Sequence, residues 1–315
     1  MKPKSLLLIG GTGFLGQSIL KYLLNAKFKK KRISKIIILS RHKLKNNNFF
    51  RRLKKKFQLI KINRNILKLK KLPYADYVIY ASLLNNYNHD YKAIQHYSAL
   101  AKKYHQESKI TYLSSGAIYG KQPNSIKKVK EKYLEYNKII KFKNSYKKEY
   151  SKIKLQNERI FKKLGHYGLK VSIARCFTFV GEFFPKDSNY IIKDIIENIL
   201  LKKDILIKSD YKIIRSYMHT DDLVKWLLKI LEKSNVQCPV YNVGSDDYVD
   251  VRKLAFMLGK KYKVNVLSKK INKLFVDIYI PNINKAKKYL NLKIKYKSFK
   301  AVSNVIDNLK KNRTF

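Results

Sequence analysis

Tyr150 and Lys154 stand four residues apart, the spacing that stacks two side chains on one face of an α-helix. An ammonium beside a phenol favours the tyrosinate, so such a tyrosine can exchange a proton near neutral pH. Two more Tyr-x-x-x-Lys pairs begin at Tyr289 and Tyr296, as 24 tyrosines in a lysine-rich chain lead one to expect. Only Tyr150 lies between two strand-like runs. The first of those runs ends in Tyr112-Leu113-Ser114-Ser115-Gly116-Ala117-Ile118-Tyr119-Gly120, where a hydroxyl can hydrogen-bond a substrate oxygen. Near the N-terminus, Gly10-Gly11-Thr12-Gly13-Phe14-Leu15-Gly16 follows one apolar run and precedes a helical pattern. Glycines 10, 13 and 16 allow a tight turn and close approach to a pyrophosphate, and the helix that follows supplies N–H donors. The next run ends in Ser40-Arg41-His42 with no Asp or Glu to hold a ribose 2′-hydroxyl. Arg41, helped by Ser40 and Lys43, can pair with a 2′-phosphate instead, which favours NADP(H) over NAD.

These residues need a frame of alternating strands and helices. Strands are expected at 5–9, 33–39, 58–62, 77–81, 109–113 and 170–174. Helices are expected at 14–26, 90–105 and 150–164; Leu15, Ile19 and Leu23 recur every four residues on the first. Strands alternating with helices imply a parallel sheet covered on both faces, here a doubly wound α/β fold. Beyond residue 175 the pattern loosens. Helices are expected at 191–201, 221–231, 251–261 and 299–309, with short strands near 204–207 and 241–243. The polar stretch 121–148 reads as a long, partly helical connection.

Composition narrows the classes of function. The 315 residues carry 71 Lys+Arg against 21 Asp+Glu, a formal net charge of +50. Only ten of the cations are arginine, and Asn appears 25 times, so the charge reads as compositional drift rather than a nucleic-acid interface. The basic field still attracts anionic small molecules. Hydrophobic residues at 45% support a sizeable core and exclude a disordered tail. No apolar run approaches the ~20 residues of a membrane span, and the run at 6–9 is too short for a signal peptide. Cys176 and Cys238 offer neither a disulfide framework nor metal-ligand spacing, so no metal and a cytoplasmic setting are expected.

The ordered motifs resemble the extended short-chain dehydrogenase/reductase family, in its NAD(P)-dependent nucleotide-sugar epimerase/dehydratase branch. Ser114-Ser115-Gly116-Ala117-Ile118-Tyr119-Gly120 is similar to that branch's Ser-Ser-x-x-Val-Tyr-Gly signature, and Lys154-Leu155-x-x-Glu158 to the stretch after its catalytic tyrosine. Ala174-Arg175-Cys176-Phe177 with Gly181, Arg215-Ser216-Tyr217-Met218-His219-Thr220-Asp221-Asp222-Leu223 and Tyr241-Asn242-Val243-Gly244-Ser245 resemble three further hallmarks. The resemblance implies a Ser115–Tyr150–Lys154 triad. Tyr150 would be the general acid/base, Ser115 would hold the reacting oxygen, and Lys154 would lower the tyrosine pKa and bind the nicotinamide ribose. It implies cofactor contacts at Gly10, Thr12, Gly13, Phe14, Leu15, Gly16, Ser40, Arg41, Asn63, Ala81 and Ser82. Substrate contacts would come from Ser115, Gly116, Thr178 and Arg215, with Arg215 on the diphosphate. His219 would hold the turn before a helix.

The fold implied is a Rossmann domain, residues 1–174 with about 204–233, and a smaller discontinuous α/β substrate lobe, residues 175–203 and 234–315. A homodimer through the helices near 90–105 and 150–164 is also implied. Departures narrow the activity. Gly116 stands where the branch's 4,6-dehydratases and decarboxylases carry Asp or Glu, and where its GDP-fucose-forming epimerase-reductase carries Cys. Thr178 stands where galactose epimerases have Asn, and Asn63 where an acidic adenine contact is common. The expectation is NADPH-dependent reduction of a nucleotide-linked 4-keto, 6-deoxy sugar at C4, in surface-polysaccharide sugar biosynthesis. The alternative is an NAD-dependent nucleotide-sugar C4 epimerase. A third reading is a non-catalytic NADP(H)-sensing protein on the same fold.

Overall fold

The computed structural model describes residues 3–25, 33–42, 47–83, 86–133, 145–184 and 190–313. In chain order its elements begin with β1 (Lys4–Ile9), α1 (Phe14–Asn25), β2 (Ile33–Ser40), α2 (Asn48–Lys56), β3 (Gln58–Asn63), β4 (Tyr77–Tyr80), α3 (Tyr87–Tyr104), β5 (Lys109–Ser115), α4 (Ser145–His166) and β6 (Lys170–Cys176). They continue with β7 (Phe179–Val180), α5 (Ile191–Leu201), β8 (Ile205–Ile207), β9 (Lys212–Ser216), β10 (Met218–His219), α6 (Thr220–Glu232) and β11 (Val240–Val243). Last come β12 (Tyr248–Asp250), α7 (Val251–Tyr262), β13 (Val266–Ser268), β14 (Val276–Tyr279), α8 (Asn284–Leu290) and α9 (Ser298–Arg313). Two compact units result. The first comprises Met1–Ile118, Lys143–Arg175 and Val224–Tyr241; the second comprises Tyr119–Phe142, Cys176–Leu223 and Asn242–Phe315.

The first unit is organised by a seven-stranded sheet in the order β11-β6-β5-β4-β1-β2-β3. β1 pairs in parallel with both β2 and β4, β2 with β3, and β4 with β5. The expected doubly wound sheet is therefore present, and its strand order reverses beside β1, where such folds hold ligands. Leu6, Leu7 and Leu8 are all fully buried, because a parallel sheet hides both faces and its strands read as continuous apolar runs. On one face, Tyr80, Tyr97, Tyr112 and Phe161 form an aromatic core; Tyr112 stacks on Phe161 with centroids 4.4 Å apart and fixes α4 against β5.

Helix α2 was not expected. It buries only Phe50 and Leu53 among exposed cations, so few apolar residues mark it in the sequence. The Asn47 side chain nevertheless caps it by accepting from Phe50 N at 3.1 Å, and Lys56 Nζ donates to the Leu23 and Leu24 carbonyls at the end of α1.

The second unit has its own core of α5 isoleucines packed with Leu254 and Leu258 of α7 and Val302 and Ile306 of α9. Its strands form a three-stranded sheet, β12-β9-β14, and two small pairs, β10-β7 and β13-β8. The observed division differs from the expected boundaries. Residues 204–223 belong to the second unit because β9 pairs with β12 and β14, whereas residues 234–241 lead into β11 of the large sheet. Of the stretch 121–148, residues 121–133 form neither a helix nor a regular strand; Val129 makes a single bridge, donating to Ile280 O and accepting from Asn282 N. Residues 134–144 lie outside the described residues, and α4 begins at Ser145. Among the described residues no helix is long and apolar enough to cross a membrane, and no group of His, Cys, Asp and Glu could hold a metal ion.

Candidate active site

The glycine turn joins β1 to α1 at the ligand edge of the sheet. Gly10 has φ +88°, open to glycine at little cost, and a Cβ there would stand 2.7 Å from the Ser82 backbone nitrogen. A Cβ on Gly16 would strike Gly10 O and Gly11 Cα, so that glycine lets helix and turn pack. Gly13 is different. Among the described residues a Cβ there would meet only Gly10 O, at an ordinary 3.5 Å, so none of them demands a glycine. It is exposed at the start of a helix whose first amides lack intrahelical acceptors, the arrangement that admits a pyrophosphate. The residues present therefore fit a nicotinamide dinucleotide.

The neighbouring strand ends complete this edge. Gly10 N donates to Leu39 O and Ala81 N to Ile9 O, which ties the turn to the ends of β2 and β4. Thr12 Oγ1 and Ser40 Oγ lie 2.7 Å apart, and Ser40 Oγ also accepts from His42 N. Ser40 is buried and braces the turn, while Arg41 and Asn63 are exposed. Phe14, Leu15, Ala81 and Ser82 are half-buried around the same turn. Lys43 lies outside the described residues.

Ser115, Tyr150 and Lys154 all belong to the first unit. Ser115 ends β5, and its Oγ accepts from Ala117 N at 3.2 Å, leaving the hydroxyl hydrogen to donate. Gly116 opens the single 3-10 turn, Gly116–Tyr119, that follows. Tyr150 and Lys154 are one turn apart on α4, as their spacing requires. Lys154 is buried, donates to Leu113 O at 3.2 Å, and stands 5.9 Å from the Tyr150 ring centroid and 5.1 Å from that of Tyr112. Burial raises the Tyr112 pKa, and the Lys154 charge acts against that rise.

Residues outside the candidate triad hold this arrangement in place. Ser151 Oγ donates to Ala117 O at 2.9 Å and so attaches α4 to the turn after β5. Glu158 accepts from Ser114 Oγ at 2.6 Å and takes a bidentate pair from Arg175, at 3.0 and 2.8 Å. Contacts from positions 151, 154 and 158 thus fasten one face of α4 to β5. Asn157 donates to the fully buried Asp90 at 3.0 Å. Tyr87 packs 6.1 Å from Tyr150 and 5.5 Å from Tyr146; its pKa is raised, by burial first and then by those neighbouring phenols. Glu158 and Arg175 were visible as motif letters, but their pairing needed the fold. Asp90, Asn157 and Tyr87 carried no signal in the sequence.

Arg215 and Thr178 belong to the second unit. The Arg215 guanidinium donates to Asp277 Oδ2 at 2.6 Å, Asp277 O at 2.8 Å and Ile214 O at 2.9 Å, and lies 6.0 Å from the Tyr279 ring. Thr178 is half-buried, and its carbonyl accepts from Met218 N. Phe177 links Tyr279, at 4.8 Å, to Tyr119, at 6.0 Å. The motif residue Asn242 is buried and structural: it accepts from Tyr119 Oη at 2.7 Å and donates to Val129 O and Asn282 O. His219 Nδ1 accepts from Asp221 N at 3.1 Å in the first turn of α6, and burial lowers its pKa.

Comparison with known proteins gives a consistent result. The profile of the NAD dependent epimerase/dehydratase family matches residues 6–244. A search of curated proteins found no match. Among solved structures, dTDP-glucose 4,6-dehydratase from Bacillus anthracis in complex with NAD is 18% identical with a TM-score of 0.79, over 99% of this chain and 98% of that one. UDP-glucose 4-epimerase from Thermotoga maritima with UDP-glucose is 18% identical, TM-score 0.76, over 98% and 99%. UDP-N-acetylglucosamine 4-epimerase from Methanobrevibacter ruminantium is 19% identical, TM-score 0.77, over 100% of both chains. At these identities the likeness speaks for the fold.

Proposed function

The chain belongs to the NAD dependent epimerase/dehydratase family, and within it we propose an NADPH-dependent reductase acting at C4 of a nucleotide-linked 4-keto, 6-deoxy sugar. One observation carries the reading: a fastened Ser115–Tyr150–Lys154 group shares a sheet with a cofactor edge that presents Arg41 and no carboxylate. The nicotinamide, when bound, supplies hydride chemistry at a carbonyl carbon. Ser115 holds the C4 oxygen with its hydroxyl and stabilises the charge that develops there. Tyr150 gives that oxygen its proton, and Lys154 keeps the phenol acidic enough to do so. Arg215, oriented by Asp277, takes the diphosphate with the N–H groups that Asp277 and Ile214 leave over; a guanidinium has five, in a planar fork. Gly116 has no side chain with which to take a proton from a neighbouring sugar carbon, which disfavours a dehydratase. A dimer through α3 and α4 belongs to the same proposal, with light scattering as its test.

The second reading is a C4 epimerase, favoured by the likeness to two 4-epimerases. It uses the same residues but returns hydride to the opposite sugar face and keeps its cofactor bound. Titration of the purified protein with NADPH and NADH, after a spectrum to detect co-purified cofactor, separates the two. Exchangeable NADPH preferred over NADH supports the reductase; tightly retained NAD with little response to NADPH overturns it.

A further inference from the structure

The adenosine end of the cofactor edge is built without any acid. The first acidic residue of the chain is Asp76. It accepts from Ser5 N and Ser5 Oγ at 2.8 Å each, where β1 and β4 begin, at the opposite edge of the sheet from the glycine turn. Elements β1, α1, β2, α2 and β3 therefore contain no carboxylate at all, although a site for unphosphorylated ribose ordinarily holds its 2′-hydroxyl with Asp or Glu.

Two arginines leave this edge side by side. Ser40 and Asn63 are register partners at the ends of the parallel strands β2 and β3, so Arg41 and Arg64 are the next residues on adjacent strands. Such strands lie about 4.8 Å apart, close enough for two guanidiniums to meet one phosphate. The Thr12–Ser40 contact at 2.7 Å ties the end of β2 to the glycine turn. Three other arginines are engaged by the protein: Arg175 by Glu158, Arg215 by Asp277 and Arg252 by Ser209 O. Arg41 and Arg64 are exposed and have no protein acceptor among the described residues.

We propose that Arg64 is the second guanidinium of a 2′-phosphate site and grips, together with Arg41, the adenosine 2′-phosphate of NADP(H). The inference rests on the NADP(H) reading above. A phosphate monoester carries about −1.5 to −2 charge at neutral pH. One exposed ion pair changes an affinity by about fivefold or less, which is too little for a firm choice between NADP and NAD. Two planar forks on one dianion supply both the charge and the geometry.

The probes are 2′,5′-ADP and 5′-AMP, which differ only in the 2′-phosphate. Their affinities are measured by calorimetry at low salt for wild type, Arg41→Gln, Arg64→Gln, the double variant and Arg159→Gln, an exposed arginine on α4. NADPH and NADH are titrated alongside, and thermal unfolding checks that each variant folds. The expected result is about fivefold weaker 2′,5′-ADP binding for either single variant and about 25-fold for the double. 5′-AMP binding should be unchanged throughout, and Arg159→Gln should match wild type. If Arg64→Gln retains wild-type affinity while Arg41→Gln loses it, the assignment of Arg64 is overturned and the NADP(H) reading stands. An equal loss in Arg159→Gln overturns the assignment as a general effect of charge. If wild type binds both probes equally and NADH as well as NADPH, the NADP(H) reading falls, and the assignment with it.

Discussion

The two halves of the large sheet handle polar groups in opposite ways. Around β1, β2 and β3, the candidate site consists of backbone amides, a glycine with room beside it, and exposed arginines. Around β5 and α4, polar side chains are engaged with one another: Glu158 with Ser114 and Arg175, Asp90 with Asn157, Lys154 with Leu113 O. The first half is arranged to receive a ligand and the second to hold a side chain still. Under the proposed function, that contrast follows from the chemistry each half would support. A phosphate needs donors not already engaged, whereas a proton-transferring phenol needs a fixed position and a steady charge beside it.

The largest effect should come from the positioning half. Tyr150→Phe is expected to lower kcat about 10²–10⁴-fold while leaving the cofactor dissociation constant unchanged, read by steady-state kinetics and fluorescence titration. Loss of cofactor binding would place Tyr150 in a structural role. Next, Glu158→Ala removes the carboxylate that pairs with the buried Arg175 and should cost about 3–5 kcal/mol of stability in urea unfolding. Arg41→Gln, on the receiving half, should stay within about 0.5 kcal/mol of wild type. Similar losses in both would erase the contrast.

Glycine substitutions sharpen the comparison within the receiving half. Gly13→Ala should fold normally, because its Cβ meets nothing closer than 3.5 Å among the described residues, yet weaken NADPH binding about tenfold or more. Gly16→Ala should instead destabilise the fold, because its Cβ would strike the turn backbone. The smallest effect concerns pH. Burial lowers the pKa of both His105 and His219, so the folded protein favours their neutral forms. Below the unfolded pKa of about 6.5 the unfolded chain binds more protons, so stability is full above that pH and declines as pH falls through it. Replacing His105 with Gln should flatten this decline in urea unfolding measured across that range; an unchanged slope would remove His105 from the account.

Much of the frame was legible in the chain because a parallel sheet leaves an unambiguous record. Runs such as Leu6-Leu7-Leu8 and Ile36-Ile37-Ile38 are buried on both faces, and their shortness, with a glycine turn after the first and β-branched residues in the second, marks interior strands. The glycine turn and the Tyr150–Lys154 spacing were equally direct, since each depends on local geometry. Helix α2 escaped notice because Asn47, which caps it, sits in an Asn triplet that resembles a loop. The Glu158–Arg175 pair and the Asp277 partner of Arg215 join residues distant in sequence, so only the packed fold could reveal them. The boundary between the units was misplaced because strand pairing, not the order of the chain, decides which unit β9 and the segment before β11 join.

In the proposed reaction Tyr150 serves a net reduction at a sugar carbonyl. Its most direct test follows the absorbance of NADPH as purified protein is mixed with UDP-, dTDP- and GDP-linked 4-keto, 6-deoxy sugars, with Tyr150→Phe as control. At least one of these sugars should lead the wild type to consume NADPH in step with formation of the C4 alcohol, while the variant consumes none. Interconversion of C4 epimers of a nucleotide sugar by the wild type, with no consumption of NADPH, would contradict it.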